Sequence, residues 1–143
     1  MAEYTAVALQ TVGTNQNVLF TEMPVCSGNC SILHREGSGL VTLRGSSKQC
    51  RALYKVYFGG NIALPAGADP ATDPISVAIA INGEALASSI ATVTPAVVAQ
   101  FNNVSSVAFI SVPCGCCSQV SVQNVSTQTI DVQNANLVVE RVA

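Results

Sequence analysis

Pro74-Ile75-Ser76-Val77-Ala78-Ile79-Ala80-Ile81-Asn82-Gly83-Glu84-Ala85-Leu86-Ala87 is the stretch whose reading decides the fold class. Its large β-branched residues stand at alternate positions with small residues between them. That is the period of a strand with one face in a core and the other closely packed. Asn82-Gly83 supplies the positive φ angles of a two-residue hairpin turn, and Glu84-Ala85-Leu86-Ala87 begins the return strand.

Outward from this hairpin the same grammar repeats. Ala6-Val7-Ala8-Leu9 and Asn17-Val18-Leu19-Phe20 flank the turn formers Gly13-Thr14-Asn15, and Leu40 to Arg44 follows Gly37-Ser38-Gly39. Ala52 to Phe58 runs to Gly59-Gly60, which reads as a breaker. Further runs at Val104 to Val112, Ser118 to Val125, Thr129 to Val132 and Ala135 to Val142 are separated by Pro-Cys-Gly, Asn-Val-Ser and Gln-Asn turns. The one helix candidate is short, with Thr94 as cap, Pro95 at the first position and Ala96 to Phe101 as one or two turns. About ten short strands without interleaved long helices predict an antiparallel sandwich built as a single domain over residues 1–143. Its core is expected to include Val77, Ile79, Ile81, Val107, Phe109, Val120, Val122, Leu137 and Val139.

Composition narrows the function. Charged residues are 10% of the chain, and its formal net charge of -2 makes no field that would draw nucleic acid. A neutral polar exterior suits packing against copies of the same chain. The basic residues Arg35, Arg44, Lys48, Arg51 and Lys55 fall in one short stretch. They read as solvated strand edges that deter unwanted pairing, with an anion- or glycan-contacting role as the alternative. Met1 to Ala6 has neither a basic n-region nor an apolar h-region, and no segment approaches the ~18 apolar residues of a membrane span. The expectation is a product made in the cytoplasm without a signal peptide, with no membrane partner.

Six cysteines are many for such a chain, and three crowd into Val112-Pro113-Cys114-Gly115-Cys116-Cys117. Cys26, Cys30, Cys50, Cys114, Cys116 and Cys117 are disulfide candidates, within a subunit or between subunits, and six thiols allow 15 pairings. As thiolate ligands, Cys26 and Cys30 with Cys114, Cys116 or Cys117 form a permissive zinc set. As plain residues, they are small hydrophobes that cores often bury. Cys116 and Cys117 are adjacent, so their side chains are expected to find different partners.

Catalysis lacks its parts. His34 is the single histidine, and no orienting group accompanies it in Leu33-His34-Arg35-Glu36-Gly37. Asp69 and Asp73 sit before prolines and read as turn formers in preference to calcium ligands. The Asn-x-Ser matches at Asn29, Asn103 and Asn124 read as chance. No enzyme, no cofactor and no resident metal are expected. Arg51, Tyr54 and Tyr57 form a candidate ligand face, since tyrosine rings stack on sugars and arginine reaches hydroxyls or acidic groups; the alternative divides the tyrosines between core and interface.

Asn17-Val18-Leu19-Phe20-Thr21-Glu22, His34-Arg35-Glu36-Gly37-Ser38-Gly39, Gly59-Gly60-Asn61-Ile62-Ala63 and the closing segment from Val132 to Val142 together resemble a bacterial and phage branch of the TNF-like jelly rolls. More distantly the chain is similar to phage head fibres and to the globular heads of spore-surface collagen-like glycoproteins. The resemblance implies a compact homotrimer, with the amino- and carboxyl-terminal strands adjacent and one sheet face packed about a threefold axis. It also implies a structural or decorating role on a phage capsid or fibre, or on a spore coat, reached after lysis or sporulation. The capsid or coat protein of that particle is then the expected partner, and a cell-surface glycan the alternative one. The chain departs from the spore-surface members in having no Gly-X-Y stalk.

Overall fold

The computed structural model describes residues 1–25, 31–45, 50–66 and 74–143. Among these the strands are β1 (Ala2–Ala6), β2 (Gln10–Val12), β3 (Glu22–Val25), β4 (Ile32–His34), β5 (Val41–Arg44), β6 (Arg51–Ala63), β7 (Ile75–Ile81), β8 (Glu84–Ala85), β9 (Ala91–Val93), β10 (Asn102–Pro113), β11 (Cys117–Asn124) and β12 (Ile130–Arg141). They make two antiparallel sheets. The first has the order β10-β6-β12-β1-β3, with β2 also on β12; the second has the order β4-β5-β11-β7-β8, with β9 also on β7. The first and last strands are neighbours, Ala2 opposite Val139 and Ala6 opposite Ala135.

The β7–β8 hairpin forms as its sequence dictates, with Asn82 and Gly83 at φ 52° and 86°. Ile75, Val77 and Ile79 point into the sandwich, while Ala78 and Ala80 are small enough to be buried on the opposite face. Between the sheets, Tyr4, Phe20, Tyr54, Phe58, Ile62, Leu43, Val120, Val122, Leu137 and Val139 make one continuous apolar core.

Four sequence expectations are corrected. No helix forms at Ala96 to Phe101: Ala99 takes a left-handed φ of 60°, and its N–H donates to the Leu64 carbonyl at 2.8 Å. Gly59-Gly60 does not break β6, because the rings of Tyr57 and Phe58 lie in the space that glycine leaves free. A Cβ at Gly59 would meet the Tyr57 hydroxyl at 3.0 Å, and one at Gly60 the Phe58 ring at 3.2 Å. Thr129 to Val132 and Ala135 to Val142 are parts of one strand. Asn134, at φ 54°, is the extra residue of a bulge, which switches the buried set from Ile130 and Val132 to Ala135, Leu137 and Val139. Lastly, Val107 and Phe109 are not core. Ala108, Ile110 and Val112 take the inner face of β10, leaving Val107 45% and Phe109 60% exposed.

Candidate interaction face on the first sheet

Alternation along β6 sends Tyr54, Val56 and Phe58 inward and Lys55 and Tyr57 outward. The ladders then align outward residues of neighbouring strands in rows. Phe109 stands opposite Lys55, and Lys55 opposite Glu140. In the next row Val107 faces Tyr57, Tyr57 faces Val138, and Val138 faces Glu3. Beyond it come Ser105, Gly59, Asn136 and Thr5. The centre of this face is therefore apolar and its margins are polar. Lys55, Tyr57, Val107, Val138 and Glu140 line a shallow depression of about 200 Å³ in it. Tyr57 is 41% exposed, and its hydroxyl end reaches along the strand over Gly59.

The three residues of the expected ligand face separate. Arg51 is exposed at the end of β6, where its Nη1 donates to Ser111 Oγ at 3.2 Å. It shares the outer side of the sheet with Tyr57. Tyr54 points the other way and is fully buried, donating its hydroxyl to the Arg44 carbonyl at 2.6 Å. That bond ties β6 of the first sheet to the end of β5 in the second, so Tyr54 is a core residue and leaves the ligand set. Parity decides this: residues 54 and 57 are three apart, an odd spacing that puts them on opposite faces. The basic stretch likewise divides, Arg51 and Lys55 lying on the first sheet and Arg44 at the end of a second-sheet strand.

His34 holds backbone. Its Nδ1 lies 3.0 Å from the Leu40 carbonyl and its Nε2 3.1 Å from that of Phe20, with the Tyr4 ring centroid at 4.4 Å. The ring fastens the chain before and after β4 to the core. A polar residue of similar weight escaped the sequence reading. Asn124 is fully buried, its Nδ2 donates to the carbonyls of Val12 and Gln128, each at 3.0 Å, and its Oδ1 accepts the Ser126 N–H at 2.9 Å. The glycosylation-like pattern at Asn124 thus marks a structural amide.

Four thiols gather where the chain passes between sheets. Cys50, Cys114, Cys116 and Cys117 are exposed and unbridged; Cys26 and Cys30 lie outside the described residues, as do Lys48, Asp69 and Asp73. Gly115 at φ 74°, with the Cys116 N–H donating to the Pro113 carbonyl at 3.1 Å, makes the β10–β11 connection a type II turn. Gly45 packs beneath it, its N–H on the Cys116 carbonyl at 2.9 Å, where any Cβ would collide with the Pro113 carbonyl oxygen. Among the described residues no three His, Cys, Asp or Glu side chains gather as a metal site, and no helix is long and apolar enough to cross a membrane.

Solved structures share this architecture. The Eiger TNF of S. frugiperda superposes with a TM-score of 0.68 at 14% identity, covering 99% of this chain and 91% of its own. The globular domain of zebrafish complement 1qA gives 0.62 at 11% identity, with 96% and 94% covered. The fold is the TNF/C1q jelly roll. Murine APRIL at pH 5.0 matches the same jelly roll with a TM-score of 0.57 at 11% identity, over 95% of this chain and 97% of its own. No protein-family model and no curated protein matches the chain.

Proposed function

We propose that this chain is a jelly-roll subunit that assembles as a homotrimer through the outer face of the first sheet and decorates the outside of a particle, either a phage capsid or fibre or a spore coat. One observation carries the assembly: Val107, Tyr57 and Val138 form an apolar row across three adjacent strands, with Phe109 beside it. Removing such surface from water is worth ~25 cal/mol per Å². Apolar patches of this kind, rimmed by polar residues, mark contact surfaces. The low charge of the remaining exterior lets subunits meet a shell without a large desolvation cost. The threefold arrangement and the particle follow from the sequence resemblance to phage and spore-surface jelly rolls.

Native mass spectrometry tests the assembly. A species three times the 14.7 kDa chain is expected, and a monomer at micromolar concentration would overturn it. The second reading, a receptor- or glycan-binding tip domain, is favoured by the exposure of Arg51 and Tyr57 on one face. It competes for Tyr57 with the assembly reading. Glycan-array binding that disappears in a still-trimeric Tyr57→Ala protein would decide for it.

A further inference from the structure

We infer that Cys50 and Cys114 are a matched thiol pair that closes to a disulfide within one subunit when the protein meets a low-molecular-weight disulfide such as oxidised glutathione. The β6–β10 ladder brings them together. Its register pairs Val112 with Ala52 and Pro113 with Arg51, and one step further sets Cys114 opposite Cys50. The Cys114 N–H donates to the Cys50 carbonyl at 3.0 Å, the bond that closes the ladder at Pro113 and Arg51, so the two cysteines face each other just past its last pair. Opposite residues that share such a bond in an antiparallel ladder have Cα atoms about 5.5 Å apart, and this spacing just past the ladder's end falls inside the span of about 4.4 to 6.8 Å that a disulfide bridges. Both side chains also leave the same side of the sheet, because each stands two residues from a buried inner-face partner, Ala52 or Val112. Both thiols are exposed there.

The other described thiols are placed differently. Cys117 is on the second sheet opposite Arg44 and shares the outward parity of Gln119. Cys116 closes the type II turn through its own backbone. The Cys50–Cys114 bond would join the two places at this end where the chain passes between sheets, β5 to β6 and β10 to β11.

The chemistry balances as two exchange steps. One cysteine thiolate attacks a sulfur of oxidised glutathione, forming a mixed disulfide and expelling one glutathione thiolate. The second cysteine thiolate attacks the protein sulfur of that mixed disulfide and expels the other. The protein dithiol loses two electrons, glutathione disulfide gains them, and the protons released by the cysteines are taken up by the departing thiolates.

The test uses the full chain in its native assembly, purified with reductant and then incubated with oxidised glutathione. Free thiols are blocked, the protein is digested without reductant, and the linked peptides are mapped by mass spectrometry. A Cys50–Cys114 link is expected in a chain that runs at single-subunit mass on a non-reducing denaturing gel. The melting temperature should rise by about 10 °C and fall back with dithiothreitol. Cys50→Ser and Cys114→Ser should each abolish both the link and the rise, while Cys116→Ser and Cys117→Ser keep them. A Cys50 link to any other cysteine, a link between subunits, or stable glutathione adducts on unlinked Cys50 and Cys114 would overturn the proposal. The map of the unsubstituted protein decides even if a serine variant fails to fold.

Discussion

The outward faces of the two sheets are built from different residues although their inward faces are equally apolar. On the first sheet the outward rows carry Phe109, Val107, Tyr57 and Val138. On the second they carry Gln119 opposite Thr42, Ser121 opposite Ala80 and Gln123 opposite Ala78. Strand propensity does not require this difference, since either set sits on an extended backbone. What separates them is size and cover: Ala78, Ala80 and Ser121 are small and already buried while Gln119 faces water, whereas a row of half-exposed aromatic and aliphatic groups is stabilised by contact with another surface. The fold has one sheet whose outward residues are small and largely covered already, with Ala78, Ala80 and Ser121 buried, and one sheet whose half-exposed apolar row is prepared to meet something.

That contrast can be broken by charge. Tyr57→Asp puts a carboxylate into the centre of the apolar row, and in a trimer three such groups would be desolvated together. Sedimentation velocity should show assembly weakened by at least about a hundredfold, with the monomer still folded by circular dichroism. The same carboxylate as Gln119→Asp on the second sheet is the matched control. It should leave both mass and stability within about 0.5 kcal/mol. Equal loss from both substitutions would erase the distinction between the faces.

The contrast is sharpened by substitutions that weaken the fold without touching either outward face. Asn124→Leu removes the amide that serves the Val12 and Gln128 carbonyls and the Ser126 N–H. Denaturant unfolding should register a loss of about 2 to 3 kcal/mol, with the subunit mass distribution unchanged wherever the protein is folded. Tyr54→Phe is milder. It keeps the ring and removes the hydroxyl's bonds to the Arg44 carbonyl and, at 3.4 Å, the Ser31 carbonyl, so about 1 kcal/mol is expected in the same measurement, and none in glycan binding.

Much of this was legible from residue alternation. Ile75 to Ile81 followed by Asn82-Gly83 has a single physical solution, and the structure contains it. β10 was less readable because both of its faces are apolar: Ala108, Ile110 and Val112 compete with Val107 and Phe109 for the interior, and no local rule ranks them. The glycines of β6 misled for a related reason, since their role depends on two aromatic rings of the same strand folding back over them. At Ala96 to Phe101 a fair helical pattern lost to one tertiary hydrogen bond from Ala99. In the candidate site, strand parity placed Arg51 and Tyr57 together and was enough to exclude Tyr54, once the continuous run of β6 was known. The pairing of Cys50 with Cys114 was not readable, because it depends on the register between strands far apart in the chain.

The bulge at Asn134 allows one long ribbon to be shared. On one edge β12 is hydrogen-bonded to β6 along nearly its whole length, while its other edge is divided end to end between β2 and β1. The chain between those two short strands, including the exposed Val7 and Leu9, bridges the same point, and Asn134 donates to the Val7 carbonyl there at 3.2 Å. Extra residues spliced between Val7 and Leu9 would loop away from the ribbon without shifting either pairing, so this seam is where such a scaffold has room to acquire a new appendage.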